Sequence, residues 1–322
     1  MQPPPSFSFP FPHLPLEISF LIIDQASRPD FDREPVHPRL AYIDPLTLSL
    51  VCHSFRKIAM SNLLNRVILK SNDQLYLFIN SIRFQRQWRA EGSRLALDYP
   101  FLVRHMHASD VWDLVVSQAA DDFIDHKTLQ EVMRSIDSVS LSFEASHILH
   151  DGFQYVPAPL TNEWRCRRIS LTGSHFRWLP FTSSPGGMGF MSQITHLTLW
   201  IESGSSPSDE HEAPLPEWAR RLPFFALPSL NHLAFPLWYW RNPGEANLYF
   251  YIVTPCIGVS GAFEKWARGE KSAVLIDKFN VPSNVFRDNT LNVWDSIYAQ
   301  ILTERIWTKS IGGRETKSYS IL

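Results

Sequence analysis

Cysteine is scarce. The 322 residues hold three, Cys52, Cys166 and Cys256, too far apart for a metal knuckle and too few for a disulfide scaffold, so each is expected as a buried free thiol. An excess of charge of either sign is missing as well: 30 Lys and Arg against 32 Asp and Glu give a formal net charge of −2, and no Lys/Arg run interleaves with aromatics, so nucleic acid is not an expected partner. There is no Asn-x-Ser/Thr sequon, and Met1-Gln2-Pro3-Pro4-Pro5 lacks the positive start and apolar core of a secretory signal. An intracellular chain, cytoplasmic or nuclear or both, is the expectation. The longest uncharged stretch, Ala246 to Phe263, is interrupted by Asn247, Pro255, Gly258 and Gly261. It reads as a buried strand and turn rather than a membrane helix, and no membrane partner is expected.

Catalytic constellations are equally thin. The close histidine pairs, His105-x-His107 and His147-x-x-His150, have neither the glutamate nor the i, i+4 spacing of a metalloprotease helix. No Gly-x-Ser-x-Gly elbow occurs, and Ser203-Gly204-Ser205 sits in a polar loop. Gly186-Gly187-x-Gly189 is not followed by Lys-Ser/Thr, which excludes a phosphate-binding loop, and the stretch from Pro180 to Gly189 reads as a turn-rich insertion. Asp121-Asp122 falls at a polar helix start, where the dipole favours acid. No catalytic residue, metal or cofactor is expected. The rival view, an enzyme on an unrecognised α/β fold, requires a deep pocket with strongly perturbed titratable groups.

What the chain has in quantity is apolar and aromatic mass, 44% hydrophobic residues with 22 Phe and 11 Trp, enough for a real core over one large or two ordinary domains. Near the start, Pro15 and Glu17 suit the first turn of a helix over roughly Pro15 to Ala26. Leu14, Ile18, Leu21 and Ile22 follow helical spacing on one side, and Leu16, Phe20 and Ile23 form a second set. Two apolar faces need two neighbours. Asp44-Pro45 is expected to cap and open a short second helix through Cys52, and Phe55, Ile58, Ala59 and Leu63 mark the buried side of a third. A Pro-rich, charged interruption, Arg28 to Ile43, separates the first helix from the second.

Leu14-Pro15-Leu16-Glu17-Ile18, together with Leu48-Ser49-Leu50-Val51-Cys52-His53-Ser54-Phe55-Arg56-Lys57-Ile58-Ala59, resembles the F-box of fungal F-box-like proteins. That resemblance implies a three-helix module that docks on a Skp-type adaptor and, through it, a cullin, in an SCF-type ubiquitin ligase. It implies adaptor contacts at Leu14, Pro15, Ile18, Leu50, Val51 and Phe55. The other possibility is a protein-interaction scaffold whose F-box has drifted and no longer serves ubiquitin transfer.

Downstream, Arg66 to Lys70 reads as a short strand, and Ser71 as the cap of a helix with Leu75, Phe78, Ile79 and Ile82 inward. Five alternating strands follow: Val103-x-x-Met106-x-Ala108, Ile136-x-x-Val139-x-Leu141, Cys166-x-x-Ile169-x-Leu171, Ile194-x-x-Leu197-x-Leu199 and Leu230-x-x-Leu233-x-Phe235. Their last apolar positions lie 33, 30, 28 and 36 residues apart. Units of this length, each with an apolar edge it cannot bury alone, stack into a parallel sheet, and the pattern resembles degenerate leucine-rich repeats of the same fungal family. A helix is expected over Gln118 to Arg134, a polar loop over Glu202 to Pro216, an aromatic closing cap over Leu237–Trp240 and Leu248–Val253, a strand at Ala273–Ile276 and a helix over Leu291 to Ile306. His196 and His232 hold matching positions before the strand leucines.

The fold class expected is therefore α+β or α/β: a flexible tail over residues 1–12, an F-box-like helical module over 13–70, a connecting helix over 71–100, an irregular leucine-rich-repeat-like α/β solenoid with its cap over 101–310, and a tail over 311–322. The solenoid would bind a protein substrate whose identity the sequence does not name.

Overall fold

The computed structural model describes residues 14–29, 42–109, 126–154, 164–173, 177–200, 221–242, 245–253 and 274–279. The expectations placed on Cys256, Asp121-Asp122, the loop from Glu202, the helix from Leu291 and both tails lie outside them. The chain divides into two compact units, Met1–Arg66 and Val67–Leu322. The cut falls before the connecting helix, which belongs to the second unit.

The first unit holds α1 (Leu16–Ala26), α2 (Ile43–Ser49) and α3 (His53–Asn65). Pro15 lies just outside α1, where its missing N–H costs nothing, and its carbonyl accepts the first helical bond from Ser19 N at 3.0 Å. Asp44 is not the cap of α2 but part of its first turn, and the helix stops at Ser49, short of Cys52. Cys52 is exposed, against the buried thiol expected, because it follows the turn at Leu50-Val51. One side chain ties α1 to α3: Asn62 Nδ2 donates to Asp24 O at 2.9 Å, Asp24 Oδ1 at 3.0 Å and Ser27 Oγ at 2.8 Å. The Asn62 amide, then the Arg28 guanidinium at 2.6 Å, hold the Asp24 carboxyl below its ordinary pKa.

In the second unit a mixed arrangement of helices and strands surrounds one eight-stranded sheet, ordered β1 to β8 as in the chain. The strands are β1 (Arg66–Leu69), β2 (His105–Ala108), β3 (Ser138–Ser142), β4 (Arg168–Thr172), β5 (His196–Trp200), β6 (His232–Asn242), β7 (Glu245–Val253) and β8 (Val274–Phe279). From β2 to β6 every pairing is parallel; β7 and β8 then join antiparallel, at the place where the closing cap is expected. Between the strands run α4 (Asn72–Ala90), α5 (Tyr99–Leu102), α6 (His126–Ser135), α7 (His147–Gln154), α8 (Leu179–Thr182) and α9 (Pro185–Ser192). Ser71 caps α4 by accepting from Gln74 N at 3.3 Å, and Leu75, Phe78, Ile79 and Ile82 are buried along it.

Register turns the sequence alternation into continuous columns. Met106, Val139, Ile169, Leu197 and Leu233 stand side by side, and Ala108, Leu141, Leu171 and Leu199 form a second column two residues on. All nine are buried, as are Val103, Ile136, Cys166, Ile194 and Leu230 just ahead of the strands. Backbone bonds continue the ladder below the strands, with Asp137 N on Arg104 O, Arg167 N on Asp137 O, Thr195 N on Arg167 O and Asn231 N on Thr195 O. Burial pushes the Cys166 thiol up to about 12, so it is a core hydrophobe rather than a nucleophile.

An aromatic cluster completes the core: Phe153 lies 5.4 Å from Trp164, 5.6 Å from Phe181 and 5.2 Å from Phe190 between ring centres. It also corrects the turn expected around Gly186-Gly187. Pro185 opens α9 with Ser184 as its cap, and both glycines are buried inside the helix. A Cβ on Gly186 would meet Phe153 O at 2.8 Å, and one on Gly187 would strike Phe181 O, so these glycines permit close packing.

Candidate docking surface

Amphipathic helices normally bury their apolar stripe, yet α1 buries only Ser19 and Ile23. Ile23 faces the companions; the remaining apolar residues split away from it around the helix. Leu16 is 62% exposed and Leu21 64%, and Ile18 and Ile22 are exposed as well. On α2 and the turn after it, Ile43, Leu46 and Val51 are exposed, and Leu50 reaches 81%. Single exposed leucines need no explanation, but eight large aliphatic side chains on a unit this small are much apolar surface for the described residues to leave uncovered.

Of the six residues the F-box resemblance singles out, Pro15, Ile18, Leu50 and Val51 are exposed, while Leu14 and Phe55 are half-buried. Leu16, Leu21, Ile22, Ile43 and Leu46 were not among them. Leu16 was assigned to the second apolar set, and in that set only Ile23 is buried. The missed signal was arithmetic: the three described helices are short and have too little surface to cover so many aliphatic side chains.

Between the end of α1 and α2 is a cleft of about 610 Å³, lined by Gln25, Ala26, Arg28 and Pro29 and by Asp44, Thr47 and Leu48. Its walls carry both an acid and a base. The Asn62 bonds hold the α1 end of the cleft in place, and Tyr42 Oη donates to Arg66 O at 3.2 Å. Burial raises the Tyr42 phenol, which stays protonated and a donor.

The second unit carries the opposite anomaly. Between its apolar columns, on the other face of the sheet, His107, Ser140, Ser170 and Thr198 fall in one row. Each is at most 4% exposed, and among the described residues neither the hydroxyls nor the imidazole nitrogens have a hydrogen-bond partner. Leaving a buried polar group unpaired costs about 1–3 kcal/mol. Burial, then the Lys70 ammonium, lowers the His107 pKa to about 3 and keeps its ring neutral. His196 and His232 are register partners on β5 and β6. Among the described residues no three His, Cys, Asp or Glu side chains gather to hold a metal ion, and no helix is long and apolar enough to cross a membrane.

In comparison with known proteins, no family model, no curated protein and no solved structure matches this chain.

Proposed function

We propose that this chain is the substrate-recognition subunit of an SCF-type cullin-RING ubiquitin ligase, its first unit an F-box-like module and its second a leucine-rich-repeat-like domain. The reading rests on the resemblance of residues 14–18 and 48–59 and is supported by one observation above others: the apolar side chains of α1, α2 and the Leu50-Val51 turn that the described residues of the unit leave exposed. Moving a Leu or Ile side chain from water into a dry interface contributes roughly 1.5–3 kcal/mol, so a few anchors here suffice for a stable complex. Leu14, Pro15, Ile18, Leu50, Val51 and Phe55 are the proposed adaptor contacts, with Leu16, Leu21, Leu46 and Ile43 added from the exposed face.

The parallel sheet built from one strand per 28–36 residues supports the second half of the reading, because such stacking generates a long surface for a protein substrate. Ubiquitin transfer then occurs on other subunits, and this chain supplies effective concentration and orientation.

Capture of a purified Skp-type adaptor by the full chain tests the proposal, with an Ile18→Lys/Leu50→Lys variant as control. Binding by the wild type that falls at least a hundredfold in a folded variant is the expected result. A folded wild type that captures no adaptor overturns it and leaves the interaction scaffold with a drifted F-box.

A further inference from the structure

The sheet face opposite the apolar columns has a chemistry of its own. Register places His105, Ser138, Arg168 and His196 in one half-exposed row across β2 to β5, and His107, Ser140, Ser170 and Thr198 in a buried row two residues further along the same face. Neither row contains a carboxylate.

Two observations point from this face to a ligand. The Arg168 side chain, in the middle of the outer row, makes no hydrogen bond or ion pair among the described residues; Asp137, at the foot of the neighbouring strand, is held by Arg165 at 2.5 Å. Behind it, the side-chain polar atoms of His107, Ser140, Ser170 and Thr198 have no partner among the described residues, and each residue is at most 4% exposed. Folded chains satisfy buried polar groups or keep them for a purpose, and one unpaired group on each of four adjacent strands, in line, is a row and not an accident of packing. A guanidinium and hydroxyls that can all donate, in two rows without acid, complement an oxyanion; the acid that register places on this face, Asp277, stands three strands away on β8.

Resting on the proposed function above and naming the chemistry of its substrate, we propose that this face receives a protein segment bearing oxyanionic side chains, anchored on Arg168 and, once the inner row opens, on the hydroxyls of Ser140 and Ser170. His105, whose Nδ1 pairs with Ser138 Oγ at 2.7 Å, and His196, whose Nδ1 pairs with Thr195 Oγ1 at 2.8 Å, flank the anchor as oriented rings. Arginine suits the role because its planar fork meets a carboxylate or a phosphate with two parallel bonds.

Three fluorescein-labelled peptides of equal length test the proposal by anisotropy on the full chain at low salt: alternating Glu and Gly, phosphoserine in place of Glu, and Gln in place of Glu. At least one anionic peptide is expected to bind tenfold or more tightly than the Gln peptide, and the comparison of the two tells carboxylate from phosphate. Arg168→Glu is expected to abolish that preference, with Arg168→Gln deciding should the first fail to fold. Ser140→Ala/Ser170→Ala is expected to lower anionic-peptide affinity at least threefold while its Tm is unchanged or raised. Equal binding of all three peptides, or a preference that survives in a folded Arg168 variant, overturns the proposal. Adaptor capture measured on the same samples separates the two readings: a chain that prefers the anionic peptide but captures no adaptor keeps this site and loses the ligase assignment.

Discussion

The two units depart from the usual sorting of side chains in opposite directions. In the first, Leu16, Leu21 and Leu50 stand in water; in the second, His107, Ser140, Ser170 and Thr198 are enclosed without partners among the described residues. The first departure comes from size, since the three short helices described there cannot surround their own apolar residues. The second comes from register, since a column of strands aligns whatever occupies each position, polar or not. Uncovered apolar surface adds little to the stability of its own unit and is available to a partner, whereas buried polar groups draw directly on the stability of the fold.

Exchanging the same residue type between the two settings gives the largest contrast. Leu171→Lys puts an ammonium into the buried apolar column and is expected to cost more than about 4 kcal/mol, seen as loss of near-UV circular dichroism. Leu50→Lys, at an exposed site, is expected to leave stability within about 0.5 kcal/mol in urea unfolding. Similar costs for the two would erase the distinction between the units.

Acid provides the next test. The folded pKa of His107 lies near 3, below the 6.5 of a free imidazole, so the unfolded chain binds the proton first and stability falls as pH drops from 6.5 toward 3. By pH 4.5 this one group accounts for a loss of roughly 2–3 kcal/mol. Urea midpoints of wild type and His107→Leu measured from pH 7 to 4.5 should diverge, the variant being flatter; parallel curves would mean that His107 is not enclosed.

A smaller effect is expected in the first unit. Asn62→Ala removes three hydrogen bonds from the joint between α1 and α3, and a loss of about 1–2 kcal/mol in that unit is expected. It should also return the Asp24 carboxyl toward its ordinary pKa, visible by NMR titration, because the Asn62 amide is the largest cause of its lowering.

Much of the second unit was legible because its signal is local. Leu197-x-Leu199 and its four counterparts alternate with the period of a strand, and Ser71 with Leu75, Phe78 and Ile79 gives both the start and the inward face of a helix. Gly186-Gly187 misled for the converse reason. Nothing in the neighbouring residues says that Phe153 and Phe181 will approach so closely that only glycine fits, so a pair that locally signals a turn became part of a helix. The exposed face of the first unit was half legible: Ile18, Leu50 and Val51 could be named from the motif, but not Leu16, Leu21 or Ile43, whose exposure depends on how little of α1 its companions reach.

The sequence by itself determined where the five alternating strands and the helix after Ser71 lie and that the apolar positions of those strands recur 28 to 36 residues apart, because periods of two and of 3.6 are properties of neighbouring residues. Only the tertiary structure decided that five separate alternations share one register, so that His105, Ser138, Arg168 and His196 become a row. The hydrogen bonds that fix such a row join segments about thirty residues apart, and no local pattern specifies which residue will face which.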